Sequence, residues 1–88
     1  PPPPRSWADK DPEAAARLSA ARAAVSALAE RLNMPQENLI TPDTVRRVCW
    51  EPPASPTPEA VAEALTSHGA RAWQVTQVAP VLAEALSA

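Results

Sequence analysis

Two short stretches of this chain set arginine beside an indole ring: Arg46, Arg47 and Trp50, then Arg71, Trp73 and Gln74. Guanidinium groups hold phosphates and flat rings stack on bases, so such groups suit nucleic-acid contact. The same residues also have structural uses. Trp50 and Trp73 are two of only three large aromatics, so they are expected to pack in the core. Arg46 and Arg47 serve equally as a solvated helix face or as partners of Glu51.

Catalysis needs convergent carboxylates, a histidine or a thiolate. Asp9, Asp11 and Glu13 sit at a helix start, and Asp43 and Glu59 follow residues that begin helices, so capping already accounts for them. No Glu-x-x-His or His-Glu-x-x-His spacing is present. His68 immediately precedes the helix-ending Gly69, where a cation favours the helix dipole. Cys49, the sole cysteine, falls on an apolar helical face and reads as a small buried hydrophobe. One cysteine and one histidine exclude an internal disulfide and a Cys/His metal cluster. No catalytic residue, metal site or cofactor is therefore expected in this segment.

The elements that position these residues are legible in the composition. Twenty alanines and twelve prolines stand against one glycine, with no Phe or Tyr, among 88 residues. Alanine favours helix, and a chain rich in Ala, Leu, Glu and Arg without Phe or Tyr makes a poor sheet. Gly69 alone cannot build a phosphate-cradling loop or a dinucleotide fingerprint. The fold expected is all-α, a compact bundle of four to five helices in residues 11–88, behind a Pro-rich interdomain linker over residues 1–10. Pro1 to Pro4 favour an extended polyproline conformation, while Trp7 is expected to tuck against the domain. A Pro-rich ligand for another protein is the weaker use of that segment. The start at Pro1 reads as a piece cut from a longer protein.

Helix starts repeat one device. Asp11-Pro12, Thr41-Pro42 and Thr57-Pro58 each place a capping residue before a proline suited to the first helical position. Leu18, Ala21, Val25, Leu28 and Leu32 form one apolar stripe on the first long helix, which should end near Asn33. Gln36 to Ile40 reads as a short helical turn. Val45, Val48 and Cys49 give the inner face of the next helix, through about Trp50, and Val61, Ala62 and Leu65 that of its successor. Gly69 ends that helix in the left-handed conformation. Pro80 inside the last segment predicts a kink near Thr76 to Ala79, or two successive helices.

Net charge is −2 and pI about 5.2, so no bulk field draws the chain to RNA or to anionic membranes. No apolar run approaches the ~20 residues a membrane span requires. A reducing, cytoplasmic setting is expected from the cysteine usage.

The run Glu37-Asn38-Leu39-Ile40-Thr41-Pro42-Asp43-Thr44-Val45-Arg46-Arg47-Val48-Cys49-Trp50 is similar to the C-terminal region of ribonuclease D proteins from actinobacteria. Gly69-Ala70-Arg71-Ala72-Trp73-Gln74 resembles it too, as does the entry segment Arg5 to Pro12. The architecture resembles the helicase-and-RNase-D C-terminal (HRDC) domain, a small helical bundle. The resemblance implies a non-catalytic accessory domain of a 3′→5′ exoribonuclease that helps position structured RNA, such as tRNA precursors, and frames the catalytic domain. It further implies a divalent metal in a separate catalytic domain, with that domain and a preceding helical domain as partners. Arg46, Arg47, Arg71 and Gln74 are the candidate RNA contacts. The alternative is a purely structural or protein-interaction domain.

Overall fold

In a computed structural model of the chain, which describes residues Pro1–Ala88, six helices form and no strand. They are α1 (Trp7–Lys10), α2 (Pro12–Leu32), α3 (Gln36–Leu39), α4 (Pro42–Trp50), α5 (Pro58–Ser67) and α6 (Ala72–Ser87), preceded by a 3₁₀ turn over Pro4–Ser6. The expected bundle is present, and the count exceeds four to five because α1 and α3 are single turns of four residues each.

Asp11 caps α2 as its position suggested, its side chain accepting from the Ala14 N–H at 3.1 Å. The helix ends at Asn33, which takes the left-handed conformation at φ 54°. Thr57 caps α5 in the same way, accepting from the Ala60 N–H at 3.1 Å. Thr41 does not: its side chain makes no cap bond, and Pro42 alone opens α4. At the α5–α6 corner Gly69 adopts φ +91°, and a Cβ there would meet nothing within 4 Å. Its backbone conformation, not close packing, is what requires glycine.

α2 runs through the centre of the fold, packing against α1, α4 and α6, while α5 and α6 form a hairpin. Leu18, Ala21, Val25 and Leu28 are buried along its stripe, and Leu32 is half-buried. Val45, Val48 and Cys49 of α4, Val61 and Leu65 of α5, and Leu39 and Ile40 beside them complete the core.

Helix α6 is one uninterrupted helix of 16 residues with Pro80 inside it, not two helices in succession. Pro80 is exposed, and so is Thr76, whose carbonyl loses its helical donor. Water can serve that carbonyl. Buried Val78, Ala79, Leu82 and Ala83 anchor the helix on both sides of the proline.

The proline-rich start is folded from Pro4 onward. Pro3 is extended (φ −58°, ψ 140°), but Pro4–Ser6 turn and Trp7 is fully buried. The Trp7 Nε1–H donates to the Pro2 carbonyl at 2.8 Å, so the indole's polar edge is satisfied while its ring joins the core.

Candidate nucleic-acid interface

The arginines on α4 already have a local partner. Asp43, one turn earlier, accepts from Arg47 Nε at 2.7 Å and from Arg46 Nη2 at 3.3 Å. These i,i+3 and i,i+4 spacings stack the three side chains on one helix face. The hydrogen bond from Arg47 holds the Asp43 carboxyl below its usual range, with Arg46 and the charges of both arginines adding to it. Glu51, the partner considered from sequence, makes no ion pair with either arginine. A single carboxylate thus faces two guanidinium groups, and Arg47 keeps a half-exposed side chain.

Arg71 and Gln74 belong to a second, separate cluster at the start of α6. The Gln74 Oε1 accepts from the Arg71 backbone N–H at 2.8 Å, half of a capping box. The reciprocal half is chemically closed, because a guanidinium has no acceptor. Gln74 Nε2 donates across to the Asn38 carbonyl at 3.4 Å, tying α6 to α3. Between these walls lies an open groove of about 540 Å³, lined by Met34, Asn38, Thr41, Gly69, Arg71, Trp73 and Gln74. Arg46 and Arg47 do not line it. Thr44, buried on α4, fixes the corner from below by donating to the His68 carbonyl at 3.3 Å.

The three tryptophans part company. Trp7 is fully buried, Trp50 is half-buried against it, and Trp73 is 46% exposed. The core assignment therefore fails for Trp73. It stands in the first turn of α6, where the inward positions Val78, Ala79, Leu82 and Ala83 begin only a turn later. Trp7, at the far end of the chain, fills the aromatic part of the core instead.

One functional-looking residue escaped sequence reasoning. Arg17, on α2, donates from Nε to the Cys49 carbonyl at 3.0 Å, satisfying the end of α4 from 32 residues away. Nothing local in the sequence signals that contact. Burial pushes the Cys49 thiol up to about 11, against the opposing charges of Arg17 and Arg22, so it stays protonated and unreactive near neutrality.

Asp11-Pro12-Glu13 does have the Asp-x-Glu spacing of some metal-binding carboxylates, but Asp11 is spent on the α2 cap. No three His, Cys, Asp or Glu side chains converge to hold a metal ion, and no helix is long and apolar enough to cross a membrane.

Residues 1–86 match the family described as the 3′ to 5′ exonuclease C-terminal domain. The chain belongs to this family. The exonuclease C-terminal domain thus includes the proline-rich start as well as the bundle. Its structure is similar to a crystal structure of a protein from Bifidobacterium adolescentis, with a TM-score of 0.87 and 36% identity. That similarity covers 100% of this chain and 21% of the other, so the domain spans about a fifth of that protein's length. No curated protein matches.

Proposed function

We propose that this exonuclease C-terminal domain is the non-catalytic accessory domain of a ribonuclease D-like 3′→5′ exoribonuclease, working in the cytoplasm. It helps position structured RNA, such as tRNA precursors, and frames the catalytic domain. The observation that carries this reading is the match of residues 1–86 to the C-terminal domain of an exonuclease. Hydrolysis, and the divalent metal it uses, belong to the catalytic domain of the parent.

In this reading Arg71 offers its guanidinium to an RNA phosphate, free of any ion pair within the domain. Arg46 and Arg47 carry two positive charges against the single charge of Asp43 and supply further phosphate contacts. Gln74 positions, because both ends of its amide already hold backbone groups. With a net charge of −2, contact is weak and salt-sensitive.

A tRNA-like ligand added at low salt should shift the amide NMR signals of Arg46, Arg47 and Arg71, and the shifts should fade as salt rises. Absence of any shift at saturating RNA sinks direct contact. The Asp43–arginine cluster favours a second reading, a scaffold domain whose arginines serve the interface with the rest of the enzyme. In that case the same signals move on adding the catalytic domain and not on adding RNA.

A further inference from the structure

Trp73 is the one large apolar side chain that the fold leaves exposed, at 46%. Burying an indole stabilises a fold by roughly 2–3 kcal/mol, and Trp7 shows that this domain can bury one completely. Trp73 does not stand alone. Arg71, two residues earlier, lines the same groove with its guanidinium unpaired. Gln74 bridges the two walls and holds the Arg71 backbone in place, so the ring and the cation sit on an ordered frame.

The groove's chemistry discriminates between partners. Apart from Trp73 and Met34 its walls are polar, with Asn38, Thr41, Arg71 and Gln74 facing it. No carboxylate lines the groove, so nothing in it repels a phosphate drawn to Arg71. An unpaired nucleobase needs only the ring face, and its neighbouring phosphate needs one cation.

We propose that Trp73 is a stacking platform for an unpaired base of RNA and that Arg71 takes the adjacent phosphate, so that this groove selects single-stranded over duplex segments. The inference rests on the RNA-positioning reading and adds to it the strand state that is recognised. A duplex keeps its base faces covered by neighbours and offers Trp73 nothing to stack on. With one cation at the site, discrimination comes from the ring.

The test uses this 88-residue chain, a short oligoadenylate, and a blunt RNA duplex of the same length, all at low salt. Trp7 is buried and Trp50 half-buried, so indole quenching on mixing reports mainly Trp73. The single strand should quench and the duplex should not. Trp73→Ala should weaken binding of labelled oligoadenylate by roughly 5- to 150-fold, the range of one stacked base. Trp73→Phe should retain most of the affinity, and Arg71→Gln should lower the slope of log affinity against log salt by about one. Far-UV circular dichroism confirms that each variant is folded. Oligoadenylate binding that survives Trp73→Ala unchanged overturns the stacking inference and leaves the RNA-positioning reading standing. Equal binding of the duplex does the same. No binding of either RNA sinks both, as does quenching that appears only with the catalytic domain, which would make Trp73 an interdomain contact.

Discussion

The rings of Trp7 and Trp50 meet with centroids 4.9 Å apart and planes tilted by 54°, joining the proline-rich start of the chain to the end of α4. A tilted pair at this separation matches the aromatic quadrupole, which favours edge or offset contact. The Trp7 Nε1–H reaches back to the Pro2 carbonyl, so the ring also fixes the path of the segment before it. What reads as a tether therefore contributes to the core.

Trp7→Ala should cost about 3–5 kcal/mol of unfolding free energy, as expected for a large buried ring. Chemical denaturation followed by circular dichroism measures it. A loss below about 1 kcal/mol, the size of an average substitution, would mean that the segment is dispensable to the bundle.

Cys49 should make stability fall at alkaline pH. Its folded value of about 11 lies above the ordinary thiol value of 9.0, so between these pH values the folded state holds a proton that the unfolded chain has released. Stability from this source is complete below pH 9 and declines as pH rises towards 11, by an amount on the order of 2–3 kcal/mol. Cys49→Ala should flatten that part of the pH–stability profile. The thiol should also resist a disulfide reagent at neutral pH until the domain unfolds.

Asp43→Asn removes the carboxylate that faces Arg46 and Arg47. If those arginines contact RNA, affinity at low salt should rise several-fold and its salt dependence should steepen. An unchanged binding isotherm would remove the α4 arginines from the interface.

Gly69→Ala should destabilise by about 1–2 kcal/mol through its left-handed backbone alone, because a Cβ there clashes with nothing. Gly69→Asn should cost less, since asparagine tolerates this region. The chain already uses one in this way at Asn33. Thermal melts of the two variants test the ordering.

How far the sequence discloses this fold depends on how local the cause is. Asp11, Pro12, Thr57, Pro58 and Gly69 act within one turn of their own positions, so they mark helix ends without knowledge of the rest. The α2 stripe is local in the same sense, through its 3.6-residue period. Trp73 is exposed against what its hydrophobicity argues, because its position in the first turn of α6 decides the matter. That position matters only relative to α3 and α5. The Arg17–Cys49 bond spans 32 residues and leaves no local trace. Arg46 and Arg47 are legible as a charged face, with two carboxylates, Asp43 and Glu51, near them in sequence. The i−3 and i−4 spacing of Asp43 outweighs Glu51, which caps the helix end. Pro80 does not split α6 into two helices, because residues buried on both sides of it and the exposure of the Thr76 carbonyl let the helix run through.

The proposed role of this domain is to position RNA for a catalytic centre located elsewhere in its parent. The most direct test is turnover by the full-length exonuclease with and without residues 1–88, on structured and on unstructured RNA. Deletion should slow trimming of structured substrates markedly and leave almost unaffected only unstructured RNA too short to reach from the catalytic centre to the Trp73 groove. Equal losses on structured and on such short RNA, or none on either with the enzyme intact, would contradict that role.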